Sequence, residues 1–133
     1  MAKMLRNYIQ GKWVKGSKGR TFPDRSPATG EVVAEISAAS ADDVHAAVSA
    51  ASEAFRSWRL VPAPRRAEIL YRAAEIMRRR KEELARILTR EMGKVIAEAR
   101  GDIQEGIDMT YYMAGEGRRM FGDRKSTRLN SSH

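Results

Sequence analysis

The stretch PRRAEILYRAAEIMRRRKEELARILTREMGK, residues 64–94, decides the fold. Pro64 suits the first helical position, where its missing N–H would be unpaired in any case. Gly93 suits the position just past a helix end, where the backbone turns left-handed and a Cβ would clash. Between them Ala67, Leu70, Ala73, Ala74, Met77, Leu84, Leu88 and Met92 recur at helical spacing and share one face. The apolar stripe lapses at Arg80 and Lys81, which predicts a kink or a break into two helices there. A face this long needs a partner to cover it.

Upstream, SADDVHAAVSAASEAFRSW (residues 40–58) predicts a helix. Ser40 is placed to cap it, Asp42 and Asp43 favour its positive end, and Val44, Ala47, Val48, Ala51, Phe55 and Trp58 form its stripe. Before it, YIQGKWV (residues 8–14) reads as extended chain with a turn or bulge at Gly11. Thr21–Phe22 resumes extended chain, Ser26 to Gly30 is a turn, and Glu31 to Ile36 is the best strand. Together residues 7–37 predict a short antiparallel β unit. Downstream of Gly93, Ile96, Ala99, Ile103, Ile107, Thr110, Ala114, Gly117 and Phe121 keep helical spacing, so the helices span about 40–121. Gly101, Gly106, Gly115 and Gly117 weaken that last helix, and their repetition predicts close packing on another element. The fold class expected is mostly α with a small antiparallel β unit at the amino terminus.

Composition narrows the functions available. The 133 residues include no cysteine, which excludes disulfides, thiolate metal sites and a cysteine nucleophile from this polypeptide. His45 and His133 lie too far apart in sequence for a local metal-ligand motif. The first ten residues hold no apolar signal region and no apolar run is long enough to span a bilayer, so a cytoplasmic protein is expected. A net charge of +8 raises nucleic acid as a partner.

Candidate chemistry is thin. Glu98, Asp102 and Glu105 share a helix face, but no histidine accompanies them, and a solvated acidic face is the reading favoured. Arg65, Arg66 and the run Arg78 to Lys81 could grip phosphates. Pairing of Glu75 with Arg79, and of Arg78 and Arg79 with Glu82 and Glu83, would neutralise much of that field. Met92, Met109, Met113, Met120 and Phe121 suit core or interface packing better than a ligand pocket. Tyr111 and Tyr112 read as one buried and one partly exposed, with no acid–base partner visible. Neither GxGxxG, GxxxxGK[ST] nor GxSxG occurs. The residues alone specify no catalytic, cofactor-binding or metal site.

The succession YIQGKWV, TFPDRSPATGEVVAEI, SADDVHAAVSAASEAFRSW and residues 64–94 closely resembles the amino-terminal part of NAD(P)-dependent aldehyde dehydrogenases, from about Asn7 to Gly122. The most specific pieces are Pro27 to Glu31, the Phe55–Trp58 pair before a proline turn, and Thr89 to Lys94. Tyr111 to Gly115 fits the helix that follows, and Ser26 stands where many members have asparagine. The resemblance implies that residues 1–122 are an incomplete piece of an α/β Rossmann-like fold. Its parent would oxidise an aldehyde to a carboxylic acid through a cysteine adduct, pass hydride to NAD or NADP, and release the acid with a glutamate base. The Pro-Trp-Asn, Phe-Thr-Gly-Ser and Glu-Leu-Gly-Gly segments and the cysteine have no counterpart here. The chain is therefore expected to be inactive and to bind no NAD(P), the parent to be a homo-oligomer, and neither nucleic acid nor membrane to be a partner. In some members an acidic residue at this point of the helix joins a monovalent-cation site, and Asp102 is the position that matches. The alternative function is a small basic helical module binding RNA, DNA or a partner helix.

The family pattern stops after Gly122. Residues 123–133, DRKSTRLNSSH, lack apolar periodicity and back-translate in frame to a common short-read sequencing adapter. They are expected to be a non-native tail, and they carry +2 of the net charge through Asp123, Arg124, Lys125 and Arg128. In such a fragment Leu70, Met77, Leu84 and Leu88 should stay partly exposed.

Overall fold

The computed structural model describes residues 3–119; Met120, Phe121 and the tail lie outside the described residues. Five strands precede four helices: β1 (Lys3–Leu5), β2 (Asn7–Ile9), β3 (Lys12–Val14), β4 (Thr21–Arg25), β5 (Val32–Ser37), α1 (Ala41–Trp58), α2 (Ala63–Arg79), α3 (Lys81–Met92) and α4 (Ile96–Glu116). The expected β unit is present, with two differences.

Residues 8–14 form not one bulged strand but a hairpin, β2 against β3. Its two-residue loop puts Gln10 at φ 51° and Gly11 at φ 76°, the paired positive values of a type I′ turn. Across it Tyr8 faces Trp13 with ring centroids 4.9 Å apart. The second sheet has the order β1-β5-β4 and is mixed: β4 pairs antiparallel to β5, while β1, ahead of the expected boundary at residue 7, pairs parallel to it. β4 runs through Pro23, which an edge strand tolerates because one side of it donates to no neighbour.

The helix punctuation acts as the sequence implies. Ser40 caps α1 in a capping box: its Oγ accepts from Asp43 N at 3.2 Å, and Asp43 Oδ2 accepts from Ser40 N at 2.7 Å. The β3–β4 loop joins in, since Ser17 N and Oγ both donate to Asp43 Oδ2, at 3.0 and 3.1 Å. Those backbone donors, Ser40 first, hold the Asp43 carboxyl down at about 2. The long stretch 64–94 breaks where its stripe lapses. Arg80, at φ −103° and ψ 14°, ends α2 and starts α3, and Gly93 closes α3 at φ 72°. Pro64 sits in the first turn of α2, which begins one residue earlier, at Ala63.

The core lies between α2 and α4, with α3 against the first half of α4. It is built from small side chains. Ala67, Ala74, Ala85, Ala99 and Ala114 are buried there, and Ile107 is the one large side chain buried fully among the described residues. The glycines of α4 explain how the helices come together. A Cβ on Gly117 would stand 2.5 Å from Ala67 Cβ and 2.9 Å from the Ala63 carbonyl oxygen, and one on Gly106 would touch Met77. Gly101 meets nothing within 4 Å, so close packing accounts for the later glycines and not for that one. Alanine buries about one methyl group, worth about 0.8 kcal/mol, so such a core is shallow.

Among the described residues the face of residues 64–94 meets chiefly α4. α1 buries none of its residues: Val48 and Phe55 are 59% and 58% exposed, and the Ser17–Asp43–Ser40 clasp ties its amino end to the β3–β4 loop. Leu70 is exposed, while Met77, Leu84 and Leu88 are half-buried, in keeping with a face that is only partly covered. The last helix ends at Glu116 and continues as a turn to Arg119; the expected end at 121 lies outside the described residues.

Candidate functional site

Three charged groupings are the places where chemistry could reside, and packing assembles each of them. The first is the acidic row of α4. Glu98, Asp102 and Glu105 stand exposed on one face, as their spacing predicts. Lys94, in the connector that follows left-handed Gly93, reaches across it and donates from Nζ to Asp102 Oδ2 at 2.5 Å. That bond raises the Lys94 pKa, and the charges of Asp102, Glu98 and Glu105 add to it. The row thus already holds a cation, an ammonium of the chain itself. No group of three metal-binding side chains occurs among the described residues.

The second grouping corrects a reading of the sequence. Tyr111, half-buried on α4, does have an acid–base partner: its phenol donates to Glu75 Oε1 on α2 in a short hydrogen bond. Arg78 Nη2 donates to the other oxygen of Glu75 at 3.1 Å. Tyr111 chiefly, then Arg78, lowers the Glu75 pKa, while Glu75 and burial raise that of Tyr111. A base needs a pKa drawn towards neutrality, whereas here each partner is driven further into its resting state. Only the packing of α4 on α2 joins residues 36 positions apart, and no local spacing signals it. Tyr112, beside it, is exposed.

The third grouping joins α3 to α4. Arg100 lays its fork on Glu82, with Nε and Nη2 each 2.8 Å from a carboxylate oxygen, and Arg86 adds a bond at 3.2 Å. Arg100 first, then Arg86, pulls the Glu82 pKa down to about 2. The basic run is likewise paired, though in another register than expected. Arg78 pairs with Glu75 and Arg80 with Glu83, both three residues apart, and Lys81 donates to Gln104. The break at Arg80 separates Arg78 and Arg79 from Glu82 and Glu83, so those expected pairs no longer lie on one continuous helix, while Glu75 pairs with Arg78 within α2. Met92, Met109 and Met113 are exposed, so they line surfaces and not the core.

A strand-to-helix junction would be the place for a dinucleotide's pyrophosphate. Among the described residues the one such junction runs from β5 through Ala38 and Ala39 to Ser40. It has no glycine, and the amino end of α1 is filled by its own Asp43 carboxylate. An anion there would meet a negative charge, so the residues present do not fit that group.

Residues 13–133 match the model of the aldehyde dehydrogenase family. The chain belongs to that family. It is 47% identical over 113 residues to malonate-semialdehyde dehydrogenase 2 of Geobacillus thermodenitrificans, covering 85% of this chain and 23% of that protein. It is similar to the solved NAD-dependent aldehyde dehydrogenase from Sinorhizobium meliloti, at TM-score 0.86 and 37% identity over 92% of this chain and 25% of that one. It is equally similar in fold to 3,6-anhydro-L-galactose dehydrogenase in complex with NAP, at TM-score 0.86 and 35% identity over 91% and 25%. The chain spans about a quarter of the length of these aldehyde dehydrogenase relatives. The four helices and small sheets are thus an amino-terminal part of the aldehyde dehydrogenase fold.

Proposed function

We propose that this chain is the first quarter of an NAD(P)-dependent aldehyde dehydrogenase and has no activity by itself. The whole enzyme oxidises an aldehyde to a carboxylic acid, and NAD or NADP accepts the hydride when bound. One observation carries the reading: the chain aligns over most of its own length but about a quarter of its relatives', and it contains no cysteine. A family that forms a thiol adduct must then draw its nucleophile from polypeptide beyond these residues. The acidic junction before α1 supports the further point that NAD(P) is held by later strands.

The relatives at 40–47% identity are named malonate-semialdehyde dehydrogenases. On that support the aldehyde of the whole enzyme is a short one that carries a carboxylate. The whole enzyme is a cytoplasmic homo-oligomer. Nucleic acid is no partner, because carboxylates interrupt the basic run of α2 and α3; no membrane is engaged, and no helix among the described residues is long and apolar enough to cross one. Asp102 serves Lys94 and not a monovalent cation.

Residues 123–133 come from a sequencing adapter, and the translated gene ran into it. The family match runs on to residue 133, so this part of the reading competes with that alignment. Resequencing the locus decides between them: aldehyde dehydrogenase codons directly after Gly122 support the adapter, and codons for DRKSTRLNSSH followed by more of the enzyme refute it. Titration of the purified chain with NAD and NADP in a calorimeter tests the cofactor claim. No heat of binding is expected, and a saturable one-to-one isotherm would overturn it.

A further inference from the structure

The faces of α2 and α4 that point away from the core are complementary. Each helical residue turns the chain by about 100°, so a residue two positions from a buried one points to the opposite side. On α2, Arg72 and Ile76 flank buried Ala74 in this way, and Arg65, Ile69 and Arg79 continue the stripe; all five are exposed. On α4, Gly101, Glu105 and Tyr112 stand two positions from buried Ala99, Ile107 and Ala114, and with Glu98 and Asp108 they form a second exposed stripe. Among the described residues Arg72 and Arg79 have no carboxylate within ion-pair reach, and Glu98, Glu105 and Asp108 have no cation.

The spacings of the two stripes match when they run antiparallel. Arg72 and Arg79 are seven residues apart, as are Glu98 and Glu105, and seven residues rise about 10.5 Å on either helix. With Arg79 opposite Glu98 and Arg72 opposite Glu105, Ile76 falls opposite Gly101. Among the described residues nothing lies within 4 Å of a Cβ built on Gly101, so its bare backbone leaves room for the isoleucine. That room belongs to an open depression of about 640 Å³, which Glu105, Asp108, Met109 and Tyr112 also line. Ile69 falls opposite Asp108, beside Met109, and Arg65 opposite the Tyr112 ring. The two stripes face away from each other across the same core, so one chain cannot join its own. We propose that α2 of one copy of this chain docks on α4 of another through these stripes. The contact is head-to-tail: a dimer so formed still presents one stripe of each kind, and further copies add to it. Gly101 then has a use that packing inside the chain does not give it.

Sedimentation velocity of the full 133-residue chain over a range of concentrations tests this. The weight-average sedimentation coefficient should rise with concentration at about 0.01 M salt, where charges are felt over about 30 Å. Association should weaken roughly tenfold towards about 1 M salt, where the screening length is about 3 Å. Arg72→Glu with Arg79→Glu should sediment as a monomer, and so should Glu98→Lys with Glu105→Lys. An equimolar mixture of those two chains should associate again, since each charged stripe then meets one of opposite sign. Gly101→Gln keeps every charge and projects into open space in the monomer, so it should retain the parent's circular dichroism and fail to associate. A parent chain that is monomeric at every concentration and salt overturns the proposal, as does a mixture of the reversed chains that stays monomeric. So does association that salt strengthens, or that either charge-reversed chain or Gly101→Gln shows at the parent's strength.

Discussion

Two glycine-to-alanine changes on the same helix should move stability in opposite directions. Gly101 has helical backbone and open space around a built Cβ, so Gly101→Ala gains the helix propensity of alanine, about 1 kcal/mol. Gly117 also has a negative φ, so alanine there suffers no backbone strain, yet its Cβ would stand 2.5 Å from Ala67 Cβ and 2.9 Å from the Ala63 carbonyl. One of those contacts is backbone and cannot swing aside. Overpacking of this kind costs about 1–3 kcal/mol, and the propensity gain at a helix end offsets only part of it. Urea unfolding followed by circular dichroism reads both. With a slope of about 1–3 kcal/mol per molar, Gly101→Ala should raise the midpoint by a few tenths of a molar or more, and Gly117→Ala should lower it. If the two variants shift the midpoint equally upward, α4 does not lie against α2 as described and the account of the core fails.

Removing the cap with Ser40→Ala should cost about 1 kcal/mol and a measurable part of the helical signal, because α1 has little beyond its amino end to hold it; an unchanged melt would show the clasp to be idle. Glu82, whose folded pKa near 2 lies below the ordinary 4.5, contributes stability that is full above pH 4.5 and lost as pH falls towards 2. Glu82→Gln should flatten the acid limb of stability in that window, and an acid limb identical to the parent's would refute the Arg100–Glu82 bridge. Phe55→Glu, on the uncovered face of α1, should change stability by less than about 0.5 kcal/mol while reducing binding of an apolar fluorescent dye. A loss of several kcal/mol would mean that Phe55 is buried in solution.

Where a residue's effect is local, the sequence carried it. Ser40 and Asp43 announce a cap by their spacing, Gly93 a left-handed stop, and the lapse at Arg80 and Lys81 a break, because each depends on the few residues around it. β1 was not legible: Lys3–Leu5 is three residues long, and its place beside β5 depends on a parallel pairing that alternation over so short a span cannot signal. The pairs expected between Arg78 or Arg79 and Glu82 or Glu83 are absent because the break at Arg80 parts the two helices. The Glu75–Tyr111 bond waits on helix packing. For the candidate site, the missing cysteine and glycine-rich motifs were plain from the start. The role of Lys94 was not, since it depends on a left-handed turn aiming one side chain back over a helix.

The central claim is that these residues carry the entry to a dehydrogenase and none of its chemistry. The most direct measurement is NADH or NADPH formation by the purified 133-residue chain supplied with malonate semialdehyde and each dinucleotide. The account predicts a rate equal to the enzyme-free blank at every concentration of chain. Formation that rises in proportion to the chain, saturates with aldehyde and disappears on heating would contradict it.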